Sequence, residues 1–190
     1  MIIGISGSAT PGGSTDILTR EVLRGCREKG RKTRLVRLNE LKMIPCQACG
    51  KSPGPEPCFF HDDAFDLLKT IIKTEAVVLA SPVYFDSVSA QMKIFIDRSN
   101  CLRPADFSKP HSQEFCEPVT RGKKGGIILV AGAHGRFESS LKVMRAFFIW
   151  AGMEIKFELK FRSKSLRRGE AAADSGILAE AYKCGLLLGD

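Results

Sequence analysis

Apolar runs alternate with helical patterns along the whole chain. The first run, Met1 to Ser6, reads as a strand. Leu18, Val22 and Cys26 then fall at i, i+4 and i+8 on one face of a helix over about Ser14 to Lys29, which Gly30 closes. A second strand, Thr33 to Leu38, leads into a Pro/Gly/Cys-rich loop from Lys42 to Phe60. A second helix follows over about Asp63 to Thr74, with Phe65, Leu68, Ile71 and Ile72 inward. The third strand, Ala76 to Ala80, is a continuous apolar run of the kind buried on both faces in a parallel sheet. A helix over about Ser89 to Asn100 groups Val88, Met92, Phe95 and Ile96. After a polar loop over Leu102 to Lys123 come a strand at Gly126 to Ala131 and a helix at Glu138 to Ala151 that buries Val143, Phe147 and Trp150. A fifth strand, Glu154 to Phe161, precedes a last helix at about Ala171 to Leu188, where Ile177, Ala181, Cys184 and Leu188 align.

Strands alternating with helices predict an α/β fold with a five-stranded, doubly wound parallel sheet covered on both faces. The flavodoxin-like order 2-1-3-4-5 would place ligands at the carboxyl ends of strands one, three and four, and the three most unusual loops follow those strands. No repeat, linker or low-complexity tract divides the chain. Residues 1–190 are expected to form one domain with a cysteine-containing insertion at about 42–60.

The first of these loops carries the most chemistry. Gly7 to Ser14 reads G-x-x-x-x-G-G-S, the P-loop spacing with Gly13 in place of the lysine. Without that lysine a nucleotide triphosphatase is disfavoured. A Rossmann dinucleotide site is disfavoured too, because G-x-G-x-x-G is missing and the second strand ends in Arg37-Leu38-Asn39, without a ribose-binding acid. What remains is a loop of neutral donors at a helix N-terminus, suited to a phosphate monoester such as that of FMN. An ordinary strand-to-helix turn with Ser14 as N-cap is the plain alternative. After the third strand, Pro82 holds the chain extended and Tyr84 and Phe85 follow at the rim, where a planar ring would lie; closure of the core is the competing reading.

These segments carry a family resemblance. Ser6-Gly-Ser-x5-Ser14-Thr15, then Ser81-Pro82-Val83-Tyr84, then Ser89-Ala90-Gln91-Met92-Lys93-x-Phe95-x-Asp97-Arg98 are similar to the NADPH-dependent FMN reductase family, and within it to the iron–sulfur flavoproteins. The resemblance implies an FMN-dependent oxidoreductase. Electrons would pass from NADPH or NADH through bound FMN to a small-molecule acceptor such as a quinone or free flavin. It gives the phosphate to Ser6, Ser8, Gly13, Ser14 and Thr15, the ring to Pro82, Val83, Tyr84 and Phe85, and a third loop to Ala131, Gly132, Ala133, His134 and Gly135. No catalytic side chain is required, since the flavin carries the chemistry, and His134 reads as an exposed loop residue. Two other readings stay open: an electron-transfer protein reduced by a ferredoxin-type partner, and a non-enzymatic flavin-binding module. A homodimer or homotetramer is expected, from the family and from Phe147, Phe148 and Trp150, which point in more directions than one helix face can bury.

The cysteine loop departs from that family. It reads Cys46-Gln-Ala-Cys49-Gly-Lys-Ser52, with Cys58 further on, and Ser52 stands where the resemblance implies a third cysteine. A cubane cluster takes four ligands, usually all thiolates. No metal is therefore favoured. Cys46, Cys49 and Cys58 are the ligands if an iron–sulfur cluster or zinc is bound, with His61 or Cys101 as an outside fourth.

Charge and composition change the picture little. The net charge of +8 suits anionic ligands. The basic stretch Lys156 to Arg168 lacks aromatics placed for stacking on bases, so a solvated segment is preferred over nucleic-acid binding. Arg162, Lys164, Arg167 and Arg168 are a candidate nicotinamide 2′-phosphate site that would favour NADPH, with a merely solvated loop the preferred reading. Seven cysteines make an odd count for a disulfide scaffold, and Cys26 and Cys184 read as helix thiols facing the core. No signal peptide or membrane-length apolar run is visible, which gives a cytoplasmic expectation and no membrane partner.

Overall fold

The computed structural model describes residues 1–49, 56–105, 115–165 and 167–190. Its strands are β1 (Ile2–Ser6), β2 (Thr33–Arg37), β3 (Ala76–Tyr84), β4 (Ser87–Val88), β5 (Lys124–Ala131) and β6 (Glu154–Arg162). Its helices are α1 (Ser14–Glu28), α2 (Asp63–Ile72), α3 (Ala90–Arg98), α4 (Glu138–Trp150) and α5 (Ser175–Gly189). The sheet runs β2-β1-β3-β5-β6, all parallel, so the expected order holds for the five long strands. Among the described residues the sheet has six strands rather than five, because β4 turns back antiparallel onto the end of β3. Phe85 and Asp86 make that turn, both left-handed, with φ of 50° and 55°. Two successive left-handed residues are the backbone of a type I′ hairpin, whose usual signal is Asn-Gly; Phe-Asp gives no such warning.

β3 shows how one strand supplies two cores. Val77 and Leu79 face the layer built by α2, α3 and α4, where Phe65, Leu68, Met92, Phe95, Met144 and Phe147 close over them. Ala76, Val78 and Ala80 face the opposite layer, with Leu18, Val22 and Cys26 of α1 and Ala181 and Leu188 of α5. Period-two alternation thus survives inside an all-apolar run. Burial pushes the Cys26 thiol up to about 11, as expected of an inert core thiol.

Two helices differ from expectation. α4 buries Leu141, Met144, Phe147 and Phe148, while Trp150 is only half-buried and donates its indole N–H to the Asn100 carbonyl. The apolar run continues almost all round this helix, so its phase is ambiguous in sequence; Gly125 decides it. A Cβ there would lie 2.4 Å from the Phe148 ring, and the missing side chain is what lets the ring lie on β5. The last helix begins late. Glu170–Ala173 form a 3₁₀ turn, and Asp174 then caps α5 by accepting from the Ile177 N–H at 3.0 Å. The basic stretch from Lys156 to Arg162 lies in the edge strand β6, where exposed lysine guards an unpaired edge.

α1 and α5 touch backbone to backbone. A Cβ on Gly185 would sit 2.0 Å from the Val22 carbonyl, and one on Gly25 would sit 2.2 Å from the Tyr182 carbonyl. Because the obstacle is backbone, no rotamer change relieves it. Gly185→Ala should therefore cost about 1–3 kcal/mol or more by overpacking. A lowered urea midpoint would show it; an unchanged midpoint would mean that the helices separate freely.

Candidate functional site

The first loop is built on a buried carboxylate. Asp16, wholly buried in the first turn of α1, accepts from the Ser6 hydroxyl at 2.6 Å, the Gly12 N–H at 3.0 Å and the Arg37 guanidinium at 2.6 Å. Arg37 reaches on to the Ser8 and Ala9 carbonyls at 3.5 and 3.4 Å. Ser8 Oγ accepts from the Thr10 N–H and lies 3.2 Å from the Thr10 carbonyl. The first helical bond runs from the Ile17 N–H to the Gly13 carbonyl, so the N–H groups of Ser14, Thr15 and Asp16 have no acceptor within the helix. Gly13 rather than Ser14 is the N-cap. The Ser14 hydroxyl accepts from the Ala171 N–H at 3.1 Å, which leaves its own proton to donate.

The end of β3 is tied to this loop. Ser89 caps α3 by accepting from the Met92 N–H, donates its hydroxyl to the Gly7 carbonyl at 2.7 Å, and gives its own N–H to Ser81 Oγ at 2.9 Å. Register sets Ser6 beside Ala80 and Pro82 beside Val130, which brings the loops after β1, β3 and β5 to one end of the sheet. The third loop is pinned by Arg162, which donates to the carbonyls of Gly132, Ala133 and Gly135 and lies 5.0 Å over the Phe137 ring. Arg136 donates its N–H to Asp86, joining that loop to the hairpin.

Between these loops lies an open cleft of about 280 Å³. Ser8, Gly13, Ser14, Thr15, Pro82, Val83, Tyr84, Ala131 and Gly132 all line it, as the sequence suggested. Four expected residues stand elsewhere. The Ser6 hydroxyl is engaged with Asp16 below the loop. The carbonyls of Ala133 and Gly135 turn to Arg162. Phe85, at the tip of the left-handed turn, is fully exposed with its ring outside the cleft. His134 is exposed, as expected.

Sequence reasoning did not name Thr10, Val130, Ser163 or Gly169 and offered Arg167 and Arg168 to a nicotinamide 2′-phosphate; all six line the cleft. The segment after β6 folds back onto the first loop. Arg168 donates to the Pro11 carbonyl, a Cβ on Gly169 would lie 3.0 Å from the Gly12 carbonyl, and Ala171 reaches Ser14. The pairing of Ala131 with Arg162 is the signal that places this segment beside the cleft. Glu170 shapes it, accepting from the Ser163 hydroxyl at 2.6 Å, the N–H groups of Lys164 and Ser165 at 2.9 and 3.0 Å, and the Ser165 hydroxyl at 2.8 Å. The Ser163 hydroxyl first, and these other donors after it, hold the Glu170 carboxyl down at about 2.

The cysteine loop sits on the other layer. Cys46 and Cys49 are exposed, Cys58 is buried, and Ser52 lies outside the described residues. Arg98, itself buried, gathers the two ends of the loop. It pairs with Asp62 through two contacts of 2.6 and 2.9 Å, donates to the Ile44 and Phe60 carbonyls at 3.0 Å each, and donates to Cys58 Sγ at 3.2 Å. Burial pushes the Asp62 carboxyl up, but Arg98 and the Ile44 and Phe65 N–H groups carry it below its ordinary value. Cys101 stands one turn beyond Arg98, half-buried against the core layer that holds Cys58. Burial first, then Cys58, Cys49 and Cys46, push its thiol up to about 11. His61 pairs with Glu56 at 3.0 Å and stacks on Phe65. Among the described residues no three His, Cys, Asp or Glu side chains are gathered closely enough to hold an ion as they stand.

Fold and cleft together define a flavodoxin-like α/β protein with a cleft at the switch point of its sheet. The chain belongs to the NADPH-dependent FMN reductase family, whose model matches residues 1–160. An iron–sulfur flavoprotein of Methanocaldococcus jannaschii is 35% identical over 149 residues, covering 78% of this chain and 71% of that protein. A flavone reductase superposes with a TM-score of 0.75 at 16% identity, covering 97% of this chain and 60% of the other. An FMN-dependent NADH-azoreductase of Bacillus anthracis, solved with FMN, superposes with a TM-score of 0.69 at 11% identity over 100% and 99% of the two chains. At such identities the superpositions establish the fold alone.

Because the Glu170 carboxyl is lowered in the fold, its ties are complete above the ordinary carboxylate range of about 4.3 and are lost only as pH falls through about 2. Its side-chain carbon should titrate near pH 2 by NMR. Glu170→Gln should speed tryptic cleavage after Lys164, Arg167 or Arg168 several-fold. Ordinary titration near pH 4 together with unchanged cleavage would refute the tie.

Proposed function

We propose that this chain binds FMN in the cleft and works as an oxidoreductase, passing electrons from NADPH or NADH through the flavin to a small-molecule acceptor such as a quinone or free flavin. One observation carries the reading: the cleft has two chemically different ends. At one end are the N-terminal N–H groups of α1, the hydroxyls of Ser8, Thr10, Ser14 and Thr15, and Arg167 and Arg168. At the other are Pro82, Val83, Tyr84, Ala131 and Gly132, which offer backbone and small apolar groups to a ring. A phosphate monoester fits the first end and a flat heterocycle the second. Asp16 brings no net repulsion to that phosphate, because Arg37 neutralises it.

FMN, when bound, supplies hydride and one-electron chemistry. The chain's residues bind and orient it. Arg167 and Arg168 belong, on this reading, to the FMN phosphate rather than to a nicotinamide 2′-phosphate, since they share the lining with the first loop. Arg162 is engaged in holding the third loop. A homodimer or homotetramer in the cytoplasm accompanies this reading. The exposed Tyr84, Phe85 and Ile149 offer apolar surface for a second copy, whereas Phe147 and Phe148 are satisfied within the chain. Among the described residues no helix is long and apolar enough to cross a membrane.

A second reading, electron transfer with a ferredoxin-type partner, draws on the name of the M. jannaschii relative and on the thiols near Arg98.

Replacing Ser8 and Ser14 together by Asp should abolish FMN binding, because two carboxylates would face the phosphate. Full FMN occupancy in that variant would show the phosphate to be elsewhere. Arg167→Ala and Arg168→Ala should each weaken FMN by about tenfold or more, the scale of a charged hydrogen bond of about 1.5–3 kcal/mol, with a loss that shrinks at high salt. The FMN-loaded protein should oxidise NADPH or NADH when a quinone is supplied. Bound FMN without such turnover would favour the electron-transfer reading, and a chain that takes up no FMN would be a different binding module.

A further inference from the structure

We propose that Arg37 makes this cleft select a phosphorylated flavin over riboflavin, and that it does so through Asp16, without touching the ligand. The proposal rests on the flavin reading above and names the positioning residue that gives that site its charge selectivity.

β2 ends at Arg37, the position where a dinucleotide site keeps a ribose-binding acid. Here the side chain turns inward and is only 8% exposed. Its Nη1 donates to the Asp16 carboxylate at 2.6 Å, and its Nη2 spans the Ser8 and Ala9 carbonyls at 3.5 and 3.4 Å. Its Nε lies 2.9 Å from the Glu40 carboxylate, which stands in solvent. The guanidinium is therefore spent on protein groups. Ser8, Thr10, Gly13, Ser14 and Thr15 line the cleft on this side, and Arg37 lies behind them.

The charge of Asp16 explains why a cation is needed there. Asp16 is wholly buried in the first turn of α1, the turn whose Ser14, Thr15 and Asp16 N–H groups lack a helical acceptor. An unscreened negative charge in that turn would oppose an anion at those N–H groups and cancel what the helix end offers. The Ser6 hydroxyl and the Gly12 N–H satisfy the carboxylate oxygens, but both donors are neutral. Arg37 brings the full positive charge. Arg167 and Arg168 reach the cleft from the segment after β6, exposed to solvent that weakens their field. With Arg37 in place the buried pair is neutral, and the phosphate meets N–H and hydroxyl groups. Without it, a buried negative charge stands beneath the loop.

FMN and riboflavin share the ring and the ribityl chain. They differ in a phosphate that carries nearly two negative charges at neutral pH. The ratio of their affinities thus reads the charge beneath the loop, separately from the ring end of the cleft. Exchanging a buried ion pair for uncharged groups is often neutral for stability, whereas removing one partner strands the other charge. The pair can therefore be taken out as a unit.

The test measures FMN and riboflavin dissociation constants on the full chain by quenching of flavin fluorescence, near neutral pH. The wild type should prefer FMN strongly. Arg37→Met should weaken FMN about tenfold or more, with riboflavin unchanged. Arg37→Lys should keep most of the preference. The double variant Asp16→Asn with Arg37→Met exchanges one neutral pair for another and should recover it, since asparagine keeps an oxygen for the Ser6 hydroxyl and the Gly12 N–H. Mere collapse of the loop would weaken both flavins alike, and the double variant would not recover. That result would overturn the proposal, as would an Arg37→Met protein that keeps the wild-type preference. If Arg37→Met alone fails to fold, the double variant decides: binding riboflavin without recovering the preference for FMN overturns the proposal. A wild type that binds riboflavin as tightly as FMN overturns it while leaving a ring site. A wild type that takes up neither flavin overturns the flavin reading, and this proposal with it.

Discussion

A single buried carboxylate organises the cleft end of this molecule. Asp16 has no access to water and is tolerable only because a hydroxyl, a backbone N–H and a guanidinium converge on it. Each donor comes from a different segment: the end of β1, the loop itself and the end of β2. The ion pair with Arg37 need add little net stability, since desolvating both charges offsets much of their attraction. Its effect is on shape. The loop is folded around Asp16, and the Ser8 and Ala9 carbonyls are occupied by the same cation. What this side of the cleft then presents is N–H and hydroxyl groups. Asp16 is acidic yet lies beneath these donors, and Arg37 neutralises it.

A second buried ion pair does comparable work on the opposite layer. Arg98 and Asp62 join the end of α3 to the start of α2, and each also holds backbone of the cysteine loop. The two pairs share a logic. A charge is buried at the root of an irregular segment, and the segment's own backbone groups complete its hydrogen bonding. Loops that carry chemistry are long and polar here, and the cost of burying charge is offset by fixing where those loops begin and end.

Much of the fold was legible because period and punctuation agreed. The five long strands and their order followed from apolar runs separated by helical patterns. The cleft followed from three unusual loops that only this topology brings together. Contacts without a local signature were harder to see. Phe85 sits next to two residues that do line the cleft, but a left-handed turn carries it away. Ser6 belongs to the motif yet serves Asp16. Arg167 and Arg168 were visible as basic residues, but their place beside the first loop depends on a register known only once β5 and β6 are paired. Trp150 and Phe148 exchanged expected roles because α4 is apolar almost all round and a glycine on β5 chose its phase. Asp97-Arg98 appeared as the tail of a motif, and the structure shows why arginine stands there: the side chain is nearly inaccessible and makes five hydrogen bonds in the directions a planar fork allows.

The close passage of Gly25 and Gly185 bears on where a working unit of this protein can be cut. The match to the family model ends at residue 160, before α5 begins. A fragment trimmed to that limit would keep every strand except the last two residues of β6 and would still uncover Leu18, Val22 and Cys26, because α5 is what shields them. It would also lack the segment that lies on the first loop. In this chain the portion that the family model matches and the self-sufficient portion are different lengths, and a truncation guided by that match would yield a sheet with one face wet.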